Sequence, residues 1–426
     1  MQHLKNKILH ITPHLGGGVG SVLLNWLVFD KSNIHSVATL DYANDKATKV
    51  CKDNNIALYS EMNNNIAQLL ELIEHADIVL IHFWNHPLLY DFLVKNKLPS
   101  SRVIFWSHVS GLHAPYVIPK KILDYADKFI FTTYVSHNAK EVAEYEDKNK
   151  FSTILSTGGV ENFINIQPKE HKGFNVGYVG TVDYSKMHPD FIATSKKINI
   201  PEVKFIIVGG DNEKEISKNA NDKFEFVGKI SDIKPYLEQF DVFGYPLHPE
   251  HFGTAEQVLQ EAMASGIVPV VLNNPTEKTL VKHMENGLVA NNLDEYVKYV
   301  ELLYNDKILR QKLSQNARKY AKEIFSLENL TNQWNKVFDE VLNFPKTIKK
   351  WDIKNNNPSY FEVFLESLGE YKHLFMVQSE KDLQRIKELA KFPNWQSQTK
   401  GTAHQYHDFF KNDEKLKKIS KLMKEN

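Results

Sequence analysis

The chain has 426 residues, 42% of them hydrophobic and 24% charged, which excludes wholesale disorder and asks for two or three domains rather than one core. Its 52 basic and 52 acidic residues cancel, so a surface devoted to nucleic acid is excluded and no nucleic-acid partner is expected. The single cysteine, Cys51, rules out an internal disulfide framework, and without an apolar run of about 18 residues the sequence reads as soluble and cytoplasmic.

In chain order, apolar and β-branched runs at 7–12, 34–40, 77–82, 102–107, 128–133 and 151–155 alternate with stretches of helical spacing such as Ile66, Leu69, Leu70 and Ile73. That alternation predicts a parallel sheet with helices on both faces. A Gly-, Pro- and charge-rich stretch at 158–173 interrupts the pattern. Strands then restart at 174–179, 203–208, 223–227, 241–245 and 267–272, followed by helices from about 294 to 344. The fold class is therefore α/β, with two doubly wound Rossmann-like domains over 1–165 and 172–330 facing across a cleft. A closing helix spans 331–345, and 346–426 is a mainly helical C-terminal extension that the two-domain pattern does not require. At its end, Leu416, Ile419 and Leu422 or Met423 recur at helical spacing among Lys411, Lys415, Lys417, Lys418, Lys421 and Lys424. Either a basic amphipathic helix for an anionic membrane surface or a last helix packed on the body satisfies that pattern.

Ligands of open α/β sheets sit where strand ends feed helices, so the loops after strands come first. Gly16, Gly17, Gly18 and Gly20 separate the first strand from an apolar helix. Gly17 and Gly18 would let backbone N–H groups meet an anion at the helix N-terminus. Leu23 stands where the dinucleotide fingerprint needs its third glycine, while Asp41 keeps a nicotinamide reading open. A turn shaped only for tight packing is the plainer alternative. In 248–265, Thr254 and Gln257 have capping-box spacing and predict a helix from Ala255. Its wheel puts Glu261 and Gln257 on the flank of a buried stripe, as solvated residues or as ligands for hydroxyls. Lys186 follows the first strand of the second domain, where an ammonium can neutralise phosphate. His82, His86, His108 and His113 lie near strand ends, but there is no HExxH, cysteine pair or Asp-x-Asp to build a metal site. No metal is expected, and one or two of these histidines read as polar site residues.

These stretches resemble the retaining GT-B glycosyltransferases of glycosyltransferase family 4, also called group 1. The resemblance rests on ILHITPHLGGGVGSVLLNW, on EAMASGIVPVVLNNPTEKTLVKHMENGLVANN and on AKEIFSLENLTNQWNKVFDEVL. It covers roughly residues 7–342 and is strongest over 248–330. It implies transfer of a sugar from a nucleotide-sugar donor to a glycan or lipid-linked acceptor, with retention, no metal and no cofactor. Bacterial capsule or lipopolysaccharide synthesis is the implied setting, with a peripheral contact at the inner membrane face through the basic tail. By resemblance, Glu261 is the second Glu of the E-x7-E motif and binds ribose. The first Glu falls on Gly253, a departure that Glu250 or Glu256 would have to repair. Lys186 matches the lysine on the donor phosphates, while Thr181 replaces the partner arginine. His108 matches the histidine that meets the donor sugar, and Lys229 with Ile230 the backbone that meets the base. A GT-B sugar-nucleotide epimerase, an NAD-dependent Rossmann enzyme and a catalytically dead binding module stay open as alternatives.

Overall fold

The computed structural model describes residues 5–210, 212–251 and 253–424. The chain divides into two compact units, one made of Met1–Leu155 with Thr331–Asn426 and the other of Ser156–Leu330. The division differs from the one the sequence suggested. The stretch at 158–173 belongs to the second unit, and the closing helix from Thr331 onward and the whole extension belong to the first.

In the first unit, strands β1 (Lys7–Thr12), β2 (Ile34–Thr39), β3 (Ala57–Tyr59), β4 (Ile78–Phe83), β5 (Leu98–Ser101), β6 (Val103–Ser107), β7 (Lys128–Phe131) and β8 (Phe151–Thr153) follow in chain order. Seven of them form one sheet in the order β3-β2-β1-β4-β6-β7-β8, with every pairing parallel. β4 and β6 are buried along their whole length, as expected of parallel strands covered on both faces. The order reverses between β1 and β4, which is where such sheets open a crevice at the strands' carboxyl ends.

The extension is woven into this unit. β15 (Thr347–Lys349) pairs antiparallel with β5, outside the main sheet; the Pro-Ser-Ser of β5 carries no apolar signal that would have marked it as a strand. Trp351 is buried and donates its indole N–H to Glu366 Oε2 at 2.8 Å. Between 359 and 391 the extension is helical in three pieces. A capping box at Ser359 and Glu362 starts the Tyr360–Ser367 helix, a 3-10 turn covers Gly369–Phe375, and Ser379 starts the Glu380–Leu389 helix.

The last helix, Glu414–Lys424, buries Leu416, Ile419 and Met423. Gln396 Nε2 donates to the Met423 carbonyl at 3.0 Å, and the His404 ring and Ser420 hydroxyl are 2.9 Å apart. The apolar face of the tail is thus spent inside the unit, and the exposed residues of the helix are its lysines and Glu414. An amphipathic helix lying in a bilayer needs that face free, so the packed alternative describes the tail. No helix among the described residues is long and apolar enough to cross a membrane. Truncation after Phe410 is expected to destabilise the first unit, since each buried aliphatic side chain contributes about 1.5–3 kcal/mol. Calorimetry should show one transition moving down by several degrees while the second unit's stays in place; coincident traces would mean the helix contributes nothing.

In the second unit the strands are β9 (Phe174–Val179), β10 (Val203–Val208), β11 (Phe224–Gly228), β12 (Val242–Tyr245), β13 (Val268–Leu272) and β14 (Leu288–Ala290). They form a parallel sheet in the order β11-β10-β9-β12-β13-β14, reversing between β9 and β12. These strands carry the continuous apolar runs that made them legible, except β14, which is three residues long. Both sheets are Rossmann-like, as the sequence predicts. (β15 lies in the first unit.)

Candidate active site

The loops after β9 and β12 meet at the second unit's switch point. Asp183 organises the first of them: its carboxylate accepts from Ser185 N–H at 2.8 Å, and its carbonyl from Lys186 and Met187 N–H at 3.0 and 2.8 Å. The second loop is stitched to it by His188 N–H to the Pro246 carbonyl and His248 N–H to the Lys186 carbonyl, at 3.1 and 2.7 Å. This places the Lys186 ammonium 3.0 Å from Glu256 Oε2. Tyr245, the last residue of β12, donates its hydroxyl to the same oxygen at 2.6 Å.

Glu256 is 5% exposed and takes a left-handed backbone, with φ of 40°. A non-glycine residue there is strained by about 1–3 kcal/mol, a cost typically met at functional sites. Burial by itself would raise its pKa; Lys186, then His251 and the Tyr245 hydroxyl, outweigh that and hold the carboxyl below its ordinary range. His251 lies between Glu256 and Glu277, with Nε2 2.9 Å from Glu277 Oε1. Burial lowers its pKa, but Glu277 and then Glu256 reverse the sign and leave it raised.

His251, Glu256 and Glu277 each bring one ligand atom within 4.8 Å of the others, and all three are buried. That donor set would suit a divalent cation if the imidazole were neutral. The Lys186 ammonium beside Glu256 and the raised pKa of His251 beside Glu277 also fit an ion-pair network, in which the positive charges stand where a cation would. The sequence analysis did not name Tyr245, His251 or Glu277. Tyr245 ends a strand that was legible; no spacing links His251 to Glu277, and only the fold joins them.

Glu250 and Glu256 stand in different surroundings. Glu250 is exposed. The Glu256 carboxylate instead fills the space a side chain at Gly253 would need, because a Cβ on Gly253 would collide with it. Three residues after the glycine, the chain returns a carboxylate to that place.

Thr254 does not cap the helix that follows. The helix runs Gln257–Ala264 with Glu256 at its N-cap position, so the capping box read from Thr254 and Gln257 is corrected: the left-handed turn at Glu256 delays the start by two residues. Gln257 keeps a site position, donating its amide to Glu261 Oε1 at 2.9 Å. Glu261 is 7% exposed, and burial pushes its pKa up to about 7 against the pull of Gln257. Gln260, on the same helix, donates to the carbonyls of Ser156 and Ala255 at 2.8 and 2.7 Å and anchors the helix start.

Thr181 is half-buried and offers only its carbonyl, which accepts from the Tyr178 hydroxyl at 2.8 Å; it brings no charge in place of an arginine. Lys229 follows β11, two strands out from β9, with its stem over Gly210.

In the first unit, Gly17 and Gly18 are exposed, and a Cβ on either would meet nothing within 4 Å. Gly17 needs its glycine for backbone reasons, with φ of 64°. Gly20 serves packing, since a Cβ there would lie 3.2 Å from the Leu15 carbonyl carbon. His108 follows β6, half-buried, with Nε2 3.0 Å from His82 Nδ1. Lys186, Glu256, Gln257 and Glu261 are brought together within the second unit, whereas His108, Gly17 and Gly18 belong to the first.

The structure resembles that of the Anabaena protein HepE in complex with UDP and glucose, with a TM-score of 0.63 at 15% identity, over 79% of this chain and 100% of that one. An uncharacterised glycosyltransferase of Haemophilus influenzae is 31% identical over 143 residues, 32% of this chain and 39% of that relative's length. The capsular polysaccharide biosynthesis glycosyltransferase CapM of Staphylococcus aureus is 27% identical over 342 residues, 68% of this chain and 86% of its own length. Residues 160–320, which lie within the second unit, match the family described as glycosyl transferases group 1.

Proposed function

We propose that the chain is a retaining, metal-independent glycosyltransferase of family 4 that moves a sugar from a nucleotide-sugar to a glycan or lipid-linked acceptor in bacterial surface polysaccharide synthesis. The observation that carries this reading is the Lys186–Glu256 pair, its carboxylate buried, at the strand-order reversal and at the start of the helix that carries Glu261. The names of CapM and HepE support the pathway and the uridine diphosphate part of the donor.

Breaking the anomeric bond develops positive charge on the sugar and negative charge on the leaving diphosphate. Lys186 and the free N–H groups at the start of the Gln257–Ala264 helix stabilise the diphosphate as it departs. Glu256 holds the donor sugar, and Glu261 accepts hydrogen bonds from ribose hydroxyls. Lys229 offers backbone to the base; the part given to His108 at the sugar and to Gly17 and Gly18 at the phosphate rests on the family resemblance of the first unit alone. In this reading the Lys186 ammonium supplies the positive charge at the leaving group, and the transfer uses no metal and no cofactor. The reaction takes place in the cytoplasm, and contact with an anionic leaflet rests on the tail lysines' charge alone.

Thermal-shift screening against UDP-, GDP- and ADP-sugars identifies the base. With that donor, nucleoside diphosphate should appear only when an acceptor is supplied, at the same rate in EDTA. Release without acceptor would point to the epimerase reading. Turnover lost in EDTA and restored by Mg²⁺ or Mn²⁺ would place a cation at His251, Glu256 and Glu277 instead.

A further inference from the structure

One histidine from each of four adjacent strand positions forms an unbroken hydrogen-bonded row across the first sheet. Asp30 Oδ2 is 2.9 Å from His35 Nε2; His35 Nδ1 is 2.9 Å from His10 Nε2; His10 Nδ1 is 3.1 Å from His82 Nε2; His82 Nδ1 is 3.0 Å from His108 Nε2. His35 is on β2, His10 on β1, His82 on β4, and His108 just beyond β6, and β2-β1-β4-β6 are consecutive in the sheet. Asp30, His35, His10 and His82 are buried, and His108 is half-buried. Trp26 lies edge-on to His10 at 5.5 Å, Trp106 is 5.6 Å from His82 and 4.9 Å from His108, and Trp334 packs on both tryptophans. The row runs through an apolar sleeve.

A neutral imidazole has one N–H and one lone pair, so each ring's partner on one side fixes its tautomer on the other. Asp30 also accepts from Ser32 N–H at 2.7 Å and from Asn33 Nδ2 at 3.0 Å, which keeps it an acceptor. His35 must then donate from Nε2 and accept at Nδ1. The same argument repeats through His10 and His82, and ends with His108 donating Nε2–H inward and presenting its Nδ1 lone pair outward.

We infer that Asp30, His35, His10 and His82 are positioning residues of a proton wire that fixes His108 in its Nε2–H tautomer and lets it take up a proton at Nδ1 without keeping the charge. When a hydroxyl or solvent proton arrives at His108 Nδ1, the His108 Nε2–H bond breaks as an N–H forms on His82 Nδ1. The His82 Nε2 proton passes to His10 Nδ1, and the His10 Nε2 proton to His35 Nδ1. One proton has entered, each ring between is neutral again, and the imidazolium is His35 beside the Asp30 carboxylate. Burial holds His10, His82 and His108 below the ordinary imidazole range, which leaves the charge no stable stop along the way.

The test is nitrogen-resolved NMR of histidine-labelled full-length protein at neutral pH. All four rings should show Nε2–H; a His108 carrying Nδ1–H in the wild type overturns the wire without any variant. His10→Phe removes the middle link by a near-isosteric apolar ring. In the folded variant the His108 spectrum should change although that residue is two links away, and an unchanged His108 tautomer overturns the coupling. The kinetic consequence rests on the proposed contact of His108 with donor sugar: kcat should drop at least about tenfold with donor affinity kept. A wild type without turnover would fail the transferase reading, and the spectra would still decide the wire.

Discussion

Lys186→Met is expected to lower kcat/KM by at least about a hundredfold, since it removes a charge aimed at the departing diphosphate inside a site where water screens little. It should also destabilise the second unit. Glu256 is 5% exposed, and Lys186 is the strongest of the groups that keep it ionised. Without the ammonium, a buried carboxylate is left with a tyrosine hydroxyl and a histidine shared with Glu277. Breaking one side of a buried pair costs about 3–5 kcal/mol. The two effects separate in the double variant Lys186→Met with Glu256→Gln. Neutralising both members should restore most of the stability by chemical denaturation, but none of the turnover. A single variant that keeps more than about a third of wild-type kcat/KM would remove Lys186 from the leaving group. A double variant no more stable than the single one would mean that Glu256 does not carry the cost.

The sheets were legible because parallel strands covered on both faces read as mostly apolar runs, as in IVLIHF of β4 and, apart from its exposed Lys204, VKFIIV of β10. What escaped was set by distant contacts. β5 and β15 have no apolar signal and exist because each pairs with the other, about 250 residues apart in sequence. The unit boundary was misplaced because loop composition marks where a chain is exposed, not where its contacts divide. At the candidate site, Lys186 and Glu261 were singled out by their place after a strand and on a helix flank. Glu256 could only be offered beside Glu250, because which carboxylate enters the space at Gly253 depends on a left-handed turn no spacing announces. The histidine row is the clearest case: His10, His35, His82 and His108 share no local motif, and only the order β2-β1-β4-β6 lines them up.

Glu261→Gln should move stability and binding in opposite directions. Burial raises the native pKa to about 7, from about 4.5 for a solvated glutamate. The folded state therefore holds that proton more tightly than the unfolded chain does. The stability associated with it is fully present below about pH 4.5 and is lost as pH rises through about 7. Glutamine has no charge to form, so the variant escapes the loss. Each pKa unit corresponds to about 1.4 kcal/mol, so the gain at pH 8 is on the order of 3 kcal/mol. Near pH 4.5 variant and wild type should unfold alike. Donor affinity should fall at least about tenfold, because a carboxylate accepts stronger hydrogen bonds from ribose hydroxyls than an amide does. A residue kept for the fold would not be stabilised by its own replacement, and a residue idle in binding would not cost affinity. Only a carboxylate held ready for a ligand predicts both. Equal stability at pH 8, or equal donor affinity in a calorimeter, would take Glu261 out of that role.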